Sequence, residues 1–296
     1  MSATPIVFSC GEDRLLGLIE GASLTASVGV LVIVGGPQYR VGSHRQFTEL
    51  ARSLAAAGYP AMRFDHRGIG DSEGETTFEE LGPDIDAALN AFLEACPQLK
   101  QVVVWGLCDA ASAILMETPG DDRVAGAVLS NPWVRSEETL ARSYLSDYYL
   151  KQLVSGSFWR RLIGGDVSIG RALSGAFGTV AKALRPAVGG KSGEAPADGQ
   201  EPARPPFQKR MLQGLAGFQR PILLILSGDD VTANEFRQFM RQDRSRRRLL
   251  AADNITTREM PRADHTFSNA EAKAEVTRHT LDWLGSIGAS NGGQAR

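Results

Sequence analysis

The chain has 296 residues, 43% hydrophobic and 22% charged, with 32 basic against 34 acidic side chains and a formal net charge of −2. That balance gives no overall cationic field, so no nucleic-acid partner is expected. The cysteines Cys10, Cys96 and Cys108 have no regular spacing and match neither a disulfide framework nor a zinc motif, and neither a signal peptide nor a bilayer-spanning apolar run is read, so a cytoplasmic protein with free thiols is expected.

Residues 6–19 read as two short strands around the turn Gly11-Glu12-Asp13. Residues 28–34 form a nearly continuous apolar run, the pattern of a strand buried on both faces of a parallel sheet. It ends in Gly35-Gly36-Pro37-Gln38-Tyr39-Arg40. Phe47, Leu50, Ala51 and Leu54 then recur at helical spacing, and Gly58 closes that helix. A short strand at 61–65 runs into Asp65-His66-Arg67-Gly68-Ile69-Gly70-Asp71-Ser72, whose glycines permit tight turns and whose charges are expected to bond loop backbones. Ile85, Ala88, Leu89, Phe92 and Leu93 mark the next helix.

The strand at 102–105 breaks at Gly106-Leu107-Cys108-Asp109-Ala110 and passes at once into helix formers. A nucleophile on such a strand-to-helix turn is the centre of the α/β-hydrolase active site, where the usual pattern is G-x-S-x-G. Here sulfur replaces the hydroxyl and Ala110 replaces the last glycine. The start of a helix supplies positive potential that favours a thiolate. The competing reading of Cys108 is a small buried hydrophobe.

Another strand is expected at 124–129. Residues 135–219 then interrupt the alternation, first with an amphipathic, aromatic stretch and then with a Gly/Pro/Ala-rich segment at 186–206, expected to be mobile. The whole insertion is read as a helical cap or lid. Strands at 222–226 and 255–260 follow, then a helix over 270–284 and a frayed tail, disordered over 289–296. The core is therefore expected to comprise residues 1–134 and 220–288. Strands alternating with helices give the α/β class, with a mostly parallel sheet covered on both faces.

The strand at 222–226 leads to Asp229 and Asp230, and the one at 255–260 leads to Asp264-His265. Cys108 as nucleophile, Asp230 as orienting acid and His265 as base stand in the chain order of an α/β-hydrolase triad, with Asp229 as the alternative acid. His44 and His66 remain secondary base candidates. One oxyanion donor is expected from the N–H of Asp109. The other should come from the loop after the 28–34 strand, but Pro37 has no N–H, which leaves Gly36 or Gln38. Arg40, His44 and Arg45 are candidates to receive an anionic substrate group, with a plain surface role as the alternative. Arg241, Arg244, Arg246, Arg247 and Arg248 form a basic run best read as a solvated face, with an acidic partner or lipid headgroups as a lesser alternative. No phosphate loop, dinucleotide motif or HExxH metal motif is present, so neither cofactor nor metal is expected.

The pieces together resemble the α/β-hydrolase superfamily across nearly the whole chain. More narrowly, residues 35–47 (Gly35-Gly36-Pro37-Gln38-Tyr39-Arg40 onward) with Gly106-Leu107-Cys108-Asp109-Ala110-Ala111-Ser112 resemble the exosortase A system-associated hydrolases, bacterial proteins found near exopolysaccharide and PEP-CTERM sorting loci. The resemblance implies an esterase, thioesterase or acyltransferase acting on a small-molecule or acyl-carrying substrate. It also departs from the serine enzymes, in the cysteine and in Pro37. A non-catalytic binding protein on a hydrolase scaffold is the rival from another class.

Overall fold

The computed structural model describes residues 3–135 and 204–292. The chain divides into two compact units, 1–134 with 205–296, and 135–204. Most of the expected cap, including 186–203 of the Gly/Pro/Ala-rich segment, lies outside the described residues.

Eight strands build one sheet: β1 (Ala3–Cys10), β2 (Asp13–Glu20), β3 (Val28–Ile33), β4 (Ala61–Phe64), β5 (Gln101–Leu107), β6 (Val124–Ser130), β7 (Ile222–Asp229) and β8 (Ile255–Asp264). Their order is β1-β2-β4-β3-β5-β6-β7-β8. β1–β2 and β2–β4 are antiparallel, and every pair from β4–β3 to β7–β8 is parallel. The helices of the described residues are α1 (Gln46–Ala56), α2 (Gly82–Ala95), α3 (Asp109–Glu117), α4 (Phe207–Gly217), α5 (Val231–Arg241), α6 (Arg244–Leu250) and α7 (Ala270–Gly292).

The apolar runs read from the sequence are two-faced. Val30 and Val32 of β3 and Val34 just beyond it point into one buried cluster with Phe47, Leu50 and Leu54 of α1 and Val276, Trp283 and Leu284 of α7. Leu31 and Ile33 point into the other, with Ile85, Leu89 and Phe92 of α2, Ile114 of α3, Met211 of α4 and Phe236 of α5. β5 alternates likewise, Val103, Trp105 and Leu107 against Val102 and Val104. The period of two sets which side chain meets which layer. Each fully buried aliphatic or aromatic side chain contributes about 1.5–3 kcal/mol.

Two boundaries differ from the sequence reading. Residues 207–217, expected in the insertion, form α4, whose Gly214 packs so closely on α3 that a Cβ there would lie 1.6 Å from Leu115 O. Its buried Met211 and Leu215 make it part of the core unit. The C-terminal helix α7 runs to Gly292, eight residues past its expected end, because Gly285 is tolerated inside a helix at a cost of only about 1 kcal/mol.

Candidate active site

β5 delivers Cys108 to the carboxyl edge of the sheet, and α3 begins at the next residue. Cys108 holds φ 64° and ψ −126°, a conformation that costs a non-glycine residue about 1–3 kcal/mol. The sequence allows it through its small neighbours. A Cβ on Gly106 would sit 2.9 Å from the backbone of Ala110 and Ala111, and Ala110 is fully buried beneath the turn. Alanine therefore fits where the usual pattern has its last glycine. The turn is tied to β6 on both sides: Cys108 N–H donates to Ser130 O at 2.9 Å, and Trp133 N–H donates to Cys108 O at 3.1 Å.

Asp230 and His265 meet. His265 Nδ1 lies 2.9 Å from Asp230 Oδ2, and the Asp230 side chain is 4% exposed against 31% for the imidazole. Asp230 is also the N-cap of α5, accepting from Thr232 N–H at 3.0 Å and Ala233 N–H at 3.1 Å. A carboxylate fixed by two backbone donors holds the ring in one orientation and leaves Nε2 outward. Asp229 is exposed and lies in the β7–β8 register opposite Asp264, and the hydrogen-bond partner of His265 Nδ1 is Asp230.

Asn131, unremarked as a functional residue in the sequence, links the two halves. It is fully buried with φ 45° at the exit of β6. Its Oδ1 accepts Ser227 N–H at 2.8 Å, and its Nδ2 donates to Ser227 Oγ at 3.0 Å and to His265 O at 3.4 Å. Ser227 Oγ in turn donates to Asp264 O at 3.1 Å. One amide thus ties the segment beside Cys108 to the β7 exit and to the histidine loop. The signal in the sequence was an Asn directly after a buried strand, the residue that best tolerates a left-handed backbone after glycine.

The oxyanion loop departs from expectation. Gly36 N–H is committed to the Asp109 carboxylate, 2.7 Å from Oδ1 and 3.0 Å from Oδ2, so it is no free donor. Gln38 is anchored towards α1: its Oε1 accepts from Ser43 N–H and from Gln46 Nε2, each at 2.9 Å. Asp109 is half-buried. Burial pushes its carboxyl above the usual range, while the N–H groups of Gly36 and Ala110 and the nearby His66 pull it back.

The three candidates for an anionic substrate group fare differently. Arg40 is not available, because its guanidinium bridges Asp65 and Asp71, the latter at 2.6 Å, and its N–H donates to Asp65 Oδ1 at 2.6 Å. It knits the loop after β3 to the loop after β4. His44 and Arg45 are exposed, with φ 52° and 62°, and His44 O accepts from Lys273 Nζ at 3.0 Å. His66 is buried beside Arg67 O, 2.8 Å from Nδ1. His279 sits on α7 near Glu275. In the basic run, Arg246 stacks on Phe239 at 4.0 Å and donates to its carbonyl, and Arg247 donates to Arg241 O. Among the described residues no group of three or more His, Cys, Asp or Glu side chains is arranged to hold a metal ion, and no helix is long and apolar enough to cross a membrane.

The fold is that of the α/β-hydrolases, with a strained elbow after β5, Asp230 after β7 and His265 after β8. Comparison with known proteins agrees. The family model described as serine aminopeptidase, S33, matches residues 27–163. Among solved structures, the Pyrococcus furiosus esterase Pf2001 superposes with a TM-score of 0.63 at 15% identity, over 96% of this chain and 91% of that one. Est1E from Butyrivibrio proteoclasticus, solved with ferulic acid bound, gives 0.59 at 12% identity over 96% and 99%. Human Protein ABHD12B is 30% identical over 115 residues, 36% of this chain and 31% of its own length, so the match spans about a third of that relative.

Proposed function

We propose that the protein is a hydrolase of ester or thioester bonds, working through Cys108, His265 and Asp230 by way of an acyl-enzyme. The observation that carries the reading is the part-buried Asp230–His265 hydrogen bond, on the same sheet edge as a cysteine in the strained elbow conformation. Cys108 Sγ attacks the carbonyl carbon while His265 Nε2 takes the thiol proton. Asp230 accepts the Nδ1–H and stabilises the imidazolium without taking the proton itself. The imidazolium then protonates the leaving alcohol or thiol. Water, deprotonated by the same nitrogen, releases the acid and regenerates the thiol. The positive end of α3 favours negative charge at the elbow. The resemblance to exosortase A-associated hydrolases adds a setting, acyl chemistry beside exopolysaccharide or protein-sorting systems.

The test is Cys108→Ala. It is expected to abolish both turnover of a short p-nitrophenyl ester and labelling of the native protein by iodoacetamide. Turnover at the wild-type rate without the thiol refutes the mechanism.

A further inference from the structure

The stretch Gly36-Pro37-Gln38 borders the elbow and has little of its own to hold it there. Gly35, just before it, lies on the elbow: a Cβ there would be 2.7 Å from Leu107 O and 2.8 Å from Ala110 N, backbone atoms on either side of Cys108. Gly36 follows with φ 62°, a conformation glycine takes without strain and without stiffening the loop. Among the described residues, the only hydrogen bonds made by the backbone of Gly36-Pro37-Gln38 run from Gly36 N–H to the Asp109 carboxylate, 2.7 Å to Oδ1 and 3.0 Å to Oδ2. Pro37 has no N–H to add. The next fixed point is the Gln38 side chain, which accepts from Ser43 N–H and Gln46 Nε2. Asp109 Oδ1 also accepts Ala110 N–H at 2.9 Å, in the first turn of α3. N–H groups donate to both oxygens, the pattern of a carboxylate. One side chain thus clamps the loop after β3 to the helix that begins behind Cys108.

We propose that Asp109 is a positioning residue for acylation of Cys108: its carboxylate, by accepting Gly36 N–H and Ala110 N–H together, keeps the loop after β3 in register with the elbow. The proposal rests on the acyl-enzyme reading above. β3 and β5 are neighbouring parallel strands, so a carbonyl brought to Cys108 is bordered by this loop on the β3 side. The side chain acts through the backbone it holds, with no contact to substrate and no proton given or taken. Without the clamp, Gly36 and Pro37 have no fixed point before the Gln38 side chain. A displacement of about 1 Å beside a reacting group costs about 10²-fold in rate. An asparagine amide oxygen can accept the same two N–H groups as Oδ1, whereas alanine can accept neither.

The experiment compares the wild-type full chain with Asp109→Asn, Asp109→Ala and Cys108→Ala, each well below its melting temperature. Three quantities are read: first-turnover acylation by p-nitrophenyl acetate, iodoacetamide alkylation of Cys108 on its high-pH plateau, and hydrogen exchange at Gly36 N–H. On the plateau the thiol is fully ionised, so the charge of Asp109 no longer sets how much thiolate is present. Alkylation attacks a saturated carbon and needs no carbonyl held in place, so it reports the sulfur alone. Asp109→Ala is expected to lose about 10–10²-fold in acylation while its alkylation plateau stays within about twofold of wild type. Its Gly36 N–H should exchange about tenfold faster or more, because the bond that protects it is gone. Asp109→Asn is expected to bring acylation back to within about fivefold of wild type and to keep Gly36 protected.

Acylation in Asp109→Ala within about threefold of wild type overturns the proposal, because the carboxylate then serves the fold and not the reacting edge. An Asp109→Asn loss as deep as that of Asp109→Ala also overturns it, since the charge rather than the two accepted N–H groups is then what counts. An alkylation plateau that falls in step with acylation does the same, by placing the damage in the elbow itself. If Asp109→Ala does not fold, Asp109→Asn decides: full acylation with Gly36 unprotected, or lost acylation with Gly36 still protected, overturns the proposal. Turnover surviving in Cys108→Ala sinks the acyl-enzyme reading itself, and the Gly36 exchange, read without substrate, stands apart from that result.

Discussion

Asn131→Ala tests whether one buried amide assembles the site. The substitution removes the acceptor of Ser227 N–H and both Nδ2 donations, at a fully buried position with φ 45°. An orphaned buried N–H costs about 1–3 kcal/mol. Alanine in a left-handed conformation adds about 1 kcal/mol, which asparagine partly escapes by bonding its side chain locally. The sum is about 2–4 kcal/mol. For a core of this size the melting temperature should fall by about 5–15 °C. The 3.4 Å contact to His265 O is the weakest of the three, yet it is the one that reaches the histidine loop. Loss of that anchor should lower kcat for a p-nitrophenyl ester by about 10–10²-fold, the cost of a displacement of about 1 Å in a catalytic group. Scanning calorimetry and steady-state kinetics on the same preparation read both. A variant melting within about 1 °C of wild type, with kcat within about twofold, would show that the Asn131 bonds neither hold the loops nor place the histidine.

Asp230→Asn separates the two duties of that residue: asparagine caps a helix about as well as aspartate, so α5 and the melting temperature should be largely kept while turnover falls by about 10²–10⁴-fold, and an active variant removes Asp230 as the orienting acid. Native-state iodoacetamide treatment read by mass spectrometry should give one adduct, at Cys108, because Cys10 and Cys96 are buried and their thiols are pushed up chiefly by burial; fast labelling at Cys96 would contradict the packing around α2. Asp121 is held below the usual carboxylate range by the Arg123 guanidinium, so its contribution is present above the unfolded-state pKa and lost as pH falls through the folded one. The stability gap between wild type and Asp121→Asn should therefore be constant near neutrality and close in acid, and a gap independent of pH refutes the pairing. Gly35→Ala places a Cβ 2.1 Å from Asp109 Oδ1 and 2.7 Å from Leu107 O, so it should cost about 1–3 kcal/mol and most of the turnover; a stable, active variant would refute the close packing of loop and elbow.

The sheet was legible because its evidence is periodic. Runs such as 28–34, broken only by Gly29, and 102–105 are apolar nearly throughout, the pattern of a strand covered on both faces. Strand ends were read short, at 226 against Asp229 and at 260 against Asp264, because the residues at those ends, Ser227-Gly228-Asp229 and Pro261-Arg262-Ala263-Asp264, carry no hydrophobic run. α4 was assigned to the insertion for a related reason. Its sequence, Phe207-Gln208-Lys209-Arg210-Met211, is polar apart from a thin stripe, and nothing local to it says that Met211 and Leu215 face α3.

The site divides along the same line. Cys108, Asp230 and His265 were picked as candidates from position alone, since each follows a strand whose place in the chain order is informative. Choosing Asp230 over Asp229 has a physical ground that position does not supply: only the residue that caps α5 is turned inward, with both its oxygens already engaged by backbone N–H. The donors were harder. Sequence shows which residues own an N–H, and so it shows the gap at Pro37, but not which N–H is already committed. Gly36 passes every sequence criterion for an oxyanion donor, but its N–H is taken by Asp109, the first residue of α3, 73 residues away. In an α/β-hydrolase fold the β3 and β5 loops are adjacent by topology, so a polar side chain directly after Cys108 and a proline in the β3 loop belong to one question: what stands where a second donor is expected.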